Sequence, residues 1–139
     1  KAMIVAFIGI HGVVFLSHIK FVKNPLTQKI DVKGPLGEMP ITVNEIVYFE
    51  KKERYYYVNS ADQSYKINYN LSDLDKMLSN THFFRINRSV IVNVAAVESY
   101  ARWENEKYIV ILLNKKELVV TRKRIVELKK LIENLKVSL

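Results

Sequence analysis

Phe83-Phe84-Arg85-Ile86-Asn87-Arg88-Ser89-Val90-Ile91-Val92-Asn93 sets two arginines and an asparagine between a pair of aromatics and a β-branched run. Val90 to Val92 has the make-up of a buried strand. A strand packed that well holds neighbouring guanidinium and amide groups in a fixed pose. Arginine offers a planar fork of donors that matches phosphate oxygens or the guanine edge. Asparagine both donates and accepts, which suits a base edge, that of adenine in particular. Were the stretch one straight strand, Phe84, Ile86, Arg88, Val90 and Val92 would share a face. Arg88 would then be buried at high cost unless an acid such as Asp73 or Glu98 paired with it. A bend or bulge near Asn87–Ser89 removes the conflict by turning Arg88 outward.

The flanking sequence alternates as strands do. Gln28 to Lys33 reads as a first strand, and Glu45 to Glu50, Tyr55 to Val58 and Ser64 to Tyr69 as three more. Lys51-Lys52-Glu53-Arg54 and Asn59 to Gln63 are the turns between the last three. At Asn70 the period changes. Leu71, Leu74, Met77 and Leu78 fall at helical spacing. Asn70 with Asp73 makes a capping-box-like start, and the helix ends near Asn80. After the central stretch, Val97 to Trp103, Lys107 to Leu113 and Glu117 to Val120 are strands, and Arg122 to Leu135 is an apolar-striped helix with Thr121 as its N-cap. Strands and helices do not alternate repeatedly, so a doubly wound parallel sheet is excluded in favour of a mainly β, antiparallel sandwich with two short helices.

Two further basic sites stand out. Lys51, Lys52 and Arg54 form a short turn that can enter a groove, although hairpin turns carry charge for solubility too and Glu53 dilutes this one. Tyr55 and Tyr56 follow on alternate faces, one for the core and one exposed. Arg122-Lys123-Arg124 puts three cations at a helix start, where the dipole disfavours them. Such a local conflict is expected at a functional site, and free N–H groups with three cations suit a phosphate. Thr121 capping with the cations simply solvated is the alternative.

The central stretch resembles the signature of the LytTR family of bacterial DNA-binding domains, a Phe-Phe-Arg-x-His-Arg-Ser segment running into a strand that ends in Val-Asn. Asn87 stands where that family usually has histidine. Four more elements of the family pattern occur in the same order: Ile46 to Glu50, the aromatic Tyr55 to Val58, the Leu71 to Leu78 helix, and Thr121 to Arg124 before the last helix. The resemblance implies an elongated LytTR-like β-sandwich over residues 27–137 that inserts loops, and no recognition helix, into successive major grooves. It implies DNA contacts from Lys51, Lys52, Arg54, Tyr56, Arg85, Asn87, Arg88, Arg122, Lys123 and Arg124, and a role in transcription regulation.

The 139 residues hold one ordinary domain and an appendage. Cysteine is absent, which removes disulfides, thiol catalysis and cysteine-based zinc sites. The formal charge of +8 favours an anionic partner. Residues 2–19 carry no Asp, Glu, Lys or Arg. As a helix they would span about 27 Å, near the hydrocarbon thickness of a bilayer. We expect an N-terminal membrane segment over 1–20, a linker with the first strand over 21–40, and a domain tethered to the inner face of the membrane. Two readings of 2–19 compete: a secretory signal peptide, for which the run is long and no small-residue cleavage site follows His18, and a buried or dimer-forming soluble helix. The lysine at position 1 suggests a fragment or a processed form. The three histidines lie far apart, and no nucleophilic triad, phosphate loop or metal motif is recognisable. We therefore expect no enzyme activity, no metal and no cofactor. The partner expected is double-stranded DNA, with two copies of the chain on it. The competing function is a protein-interaction β-module on a membrane sensor, which predicts basic clusters pointing in unrelated directions. Binding to anionic lipid would need the charge beside the membrane segment, and most of it is far along the chain.

Overall fold

A computed structural model describes residues 28–78 and 82–138. The expected membrane segment over 2–19 lies outside them. Among the described residues no helix is long and apolar enough to cross a membrane.

Among the described residues, ten strands and two α-helices follow one another as β1 (Lys29–Gly34), β2 (Gly37–Thr42), β3 (Ile46–Lys52), β4 (Tyr55–Ser60), β5 (Ser64–Ile67), α1 (Leu71–Met77), β6 (Phe83–Asn87), β7 (Val90–Asn93), β8 (Val97–Arg102), β9 (Tyr108–Leu112), β10 (Glu117–Val120) and α2 (Ile125–Ser138). Seven strands form one sheet in the order β2-β1-β5-β4-β3-β7-β6, and three form a second in the order β10-β9-β8. Every pairing is antiparallel.

Alternation along the strands fills two cores. Phe49, Val58, Ile67 and Ile91 point to one face of the large sheet and meet Leu71 and Leu74 of α1 and Ile30 and Val32 of β1. Tyr48, Phe84, Ile86 and Val92 point to the other face. There they meet Val110, Leu112, Leu118 and Val120 of the small sheet and Ile125, Leu128 and Ile132 of α2. Val92 and Ile91, adjacent in sequence, thus serve opposite cores, as a period of two requires. Phe49 is fully buried. Truncating a side chain so placed costs about 3–5 kcal/mol. The capping box of α1 is complete: the Asp73 N–H donates to Asn70 Oδ1 at 2.7 Å, and the Asn70 N–H to Asp73 Oδ2 at 3.3 Å.

Three expectations are corrected. The central stretch is not one bent strand but a hairpin, β6 and β7, with Arg88-Ser89 as its two-residue turn and Asn87 opposite Val90. Arg88 is turned outward as the parity argument demanded, by chain reversal with an irregularity between Arg85 and Asn87. Gly37–Thr42, read within the linker, is strand β2. Met39-Pro40 does not break it because β2 is the sheet edge, where a missing N–H costs no ladder bond. Gly37 takes φ 118°, which the tight Pro35-Leu36 turn requires and a side chain would resist. Finally, α2 begins at Ile125 and Thr121 is not its N-cap. The Thr121 N–H and hydroxyl both donate to the Ile86 carbonyl, at 3.0 and 3.4 Å. That bond holds the end of β10 against β6, so the chain must clear the sheet before it can coil. The Arg124 carbonyl takes the helical bond from the Leu128 N–H.

Candidate nucleic-acid interface

The strand order brings three chain reversals to one end of the large sheet. β7 runs antiparallel to β3 with Val90 beside Glu50. The Arg88-Ser89 turn therefore lies next to the Lys52–Tyr55 tip of the β3–β4 hairpin. The Lys51 N–H donates to the Ser89 carbonyl at 2.8 Å and locks the two tips together. On the other flank, the Thr121–Ile86 bond sets the Arg122–Arg124 turn beside the end of β6.

The β6–β7 tip is heavily braced. Asn87 Nδ2 donates to the Val119 carbonyl at 2.7 Å, and Asn87 Oδ1 accepts from the Ser89 N–H at 2.7 Å. The Arg85 guanidinium donates to the carbonyls of Asn87 at 3.3 Å and Arg88 at 2.9 Å. It also lies 3.8 Å from Asp75 of α1. Both residues, singled out as contacts, therefore spend their polar atoms on the fold. What they hold in place is Arg88, which is exposed and has no carboxylate within ion-pair distance among the described residues. The acids considered as its partners are engaged elsewhere: Asp73 caps α1, and Glu98 binds Lys115 at 2.8 Å.

The other two sites are held more loosely. At the β3–β4 tip, Lys51 lies 5.7 Å from the Tyr56 ring, Lys52 5.9 Å from Tyr57 and Arg54 5.4 Å from Tyr55. Stacking of this kind orders a cation without neutralising it; Lys52 alone of the three also has an acid partner among the described residues, its ammonium lying 3.7 Å from the Glu50 carboxylate. Tyr56 packs against the core and Tyr55 is exposed, so the two do take opposite faces. Glu53 sits at this tip with φ 57°. In the β10–α2 turn, Arg122 lies 3.5 Å from Glu106, and Arg124 lies 6.0 Å from the Phe84 ring.

Grooves connect the three sites. One of about 510 Å³ is lined by Arg85, Asn87, Arg88 and Thr121 to Arg124. A second, of about 200 Å³, shares Arg85 and Arg88 with it and reaches Lys51 and Tyr56. The basic clusters form one continuous surface along one end of the molecule and do not point in unrelated directions. Two lysines that the sequence reading passed over, Lys33 and Lys66, line a third groove with Arg54. Strand alternation already set Lys66 on a polar face. Its neighbours became visible only once β5 was placed between β1 and β4.

A sequence profile described as the LytTR DNA-binding domain matches residues 37–133. The chain is 29% identical over 99 residues to the sensory transduction protein LytT of Bacillus subtilis, covering 70% of this chain and 41% of that protein. It is 31% identical over 90 residues to the transcriptional regulatory protein YpdB of Escherichia coli, covering 64% and 37%. The chain thus spans about two fifths of these curated relatives. Its fold is similar to a solved LytTR DNA-binding domain of a methyl-accepting/DNA response regulator from Bacillus cereus. That likeness has a TM-score of 0.69 at 23% identity, over 76% of this chain and 97% of the other. With the family pattern matched across most of its length, this chain belongs to the LytTR family of DNA-binding domains.

Proposed function

We propose that this chain binds double-stranded DNA with sequence preference and acts, without enzyme activity, in transcription regulation. The observation that carries the reading is the continuity of the basic surface from the β3–β4 tip through Arg88 to the Arg122–Arg124 turn. Arg88 is assigned to a base edge, because its backbone is fixed by the braces of Arg85 and Asn87 while its guanidinium is unspent. Lys51, Lys52 and Arg54 contact DNA from the neighbouring tip, with Tyr56 beneath them. Arg122, Lys123 and Arg124 neutralise phosphates. Arg85 and Asn87 act on DNA chiefly through the shape they impose on the tip.

Affinity that comes from phosphate neutralisation falls with salt. With roughly five phosphate contacts, log K falls against log salt with a slope of about −4.5. A binding titration across salt tests this, and a flat dependence would reject the DNA reading. We extend the proposal to tethering at the inner face of a membrane through residues 2–19, on the strength of their charge-free run. Membrane fractionation of the full chain and of a chain lacking 2–19 checks it, and recovery of both in the soluble fraction would refute it. We also propose that two copies occupy one site, which sedimentation of the complex with a selected duplex tests.

A further inference from the structure

Lys33 and Lys66 are direct Cα partners across β1 and β5. Like charges set opposite each other on neighbouring strands are unfavourable. The Lys66 ammonium lies 3.8 Å from the Tyr55 ring centroid, and the Arg54 guanidinium lies 5.4 Å from the same ring. One aromatic plate therefore gathers two cations, with a third across the strand. None of the three has a carboxylate within ion-pair distance among the described residues. Two acids are near. Glu38 is opposite Lys33 on the far strand, and Asp73 lines the same groove but is committed to the α1 cap. This groove, of about 340 Å³, shares Tyr56 and Asn70 with the groove that holds Lys51 and Arg88.

We infer that Lys66 of β5, Lys33 of β1 and Arg54 of the β3–β4 turn form a further phosphate-binding subsite, beyond the contacts already assigned at the three chain reversals. A phosphate seated there relieves the repulsion between the lysines and meets cations that Tyr55 already orients. The subsite rests on the DNA reading above and lengthens the footprint: the duplex that meets the hairpin tips continues over Lys66 of β5 and Lys33 of β1. Because no base-reading fork is braced there, the subsite adds affinity without sequence preference.

The test compares the full chain with Lys66→Gln and the double variant Lys33→Gln/Lys66→Gln, using a random-sequence duplex titrated across salt. Lys66→Gln is expected to make the log–log slope shallower by about 0.9, and the double variant by up to about 1.8. Both should weaken random and selected duplexes by the same factor and shorten the hydroxyl-radical footprint at one end. Lys66→Arg keeps the charge and should keep the slope, which separates lost charge from lost folding. If both glutamine variants retain the wild-type slope and footprint while Lys123→Ala loses about 0.9 of slope, the subsite is wrong and the DNA reading stands. If the wild-type chain shows no salt-dependent binding to either duplex, both fall.

Discussion

The β6–β7 tip and the β10–α2 turn lie side by side and are both basic, with two and three cations, yet they are built in opposite ways. At the β6–β7 tip the side chains of Arg85 and Asn87 make four hydrogen bonds to backbone groups, and a single guanidinium, that of Arg88, projects from the result. In the β10–α2 turn the backbone is held by Thr121, while among the described residues the side chains of Arg122 and Arg124 are tied by an exposed ion pair and a ring contact. Reading a base edge needs a donor fork held in one pose, because a bidentate bond is lost with a small displacement. Neutralising phosphate needs charge in the right region and tolerates motion. The contrast assigns specificity to one turn and affinity to the other.

Arg88→Ala should break the comparison hardest. Removing a bidentate base contact costs about 1–3 kcal/mol of discrimination. Binding to a duplex selected by the wild-type chain should therefore fall much further than binding to random DNA. Equal losses on both, measured by competition at fixed salt, would make Arg88 an ordinary phosphate contact. The next largest effect belongs to Asn87. Asn87→Ala deletes one donor and one acceptor bond, each worth about 0.5–1.5 kcal/mol. It should lower thermal stability and selected-duplex affinity together. Histidine, which the family usually carries there, when neutral also combines a donor with an acceptor. Asn87→His should hence keep most of both properties. If Asn87→Ala leaves selectivity intact, the brace does not matter to recognition.

These two residues also mark what could be read without coordinates. The order of strands and helices was legible where a short apolar or alternating run is bounded by polar turn residues, as in Ile46–Glu50 and Ser64–Ile67. It failed where the cue depends on a distant neighbour. Pro40 looks like a breaker until β2 is known to be an edge strand. Thr121 looks like a cap until the Ile86 carbonyl, 35 residues earlier, takes its hydroxyl. The site had the same limit. That Arg88 must point outward follows from parity alone. That the Asn87 amide is spent on the fold depends on Val119, which no local pattern connects to it. Lys66 went unnoticed for the same reason, since its neighbours come from β1, β4 and the β3–β4 turn.

Lys123→Ala should be the milder counterpart to Arg88→Ala. It should weaken selected and random duplexes by the same factor and make the salt slope shallower by about 0.9. A loss confined to the selected duplex would transfer part of the reading to the β10–α2 turn and blur the distinction between the two.

The smallest effect concerns the third reversal, where one residue works against both stability and charge. Glu53 stands at the β3–β4 tip with φ 57°, a left-handed conformation that costs a residue with a Cβ about 1–2 kcal/mol. It is also an acid among Lys51, Lys52 and Arg54. Asparagine adopts this conformation more readily than glutamate and carries no charge. Glu53→Asn should raise stability by up to about 1 kcal/mol and strengthen DNA binding modestly, equally on selected and random duplexes. The two readouts are separable: thermal unfolding without DNA reports the strain, and the salt titration reports the charge. A more stable protein that binds random DNA better but a selected duplex worse would mean that Glu53 rejects wrong sequences. Discrimination would then be shared between the β3–β4 tip and Arg88.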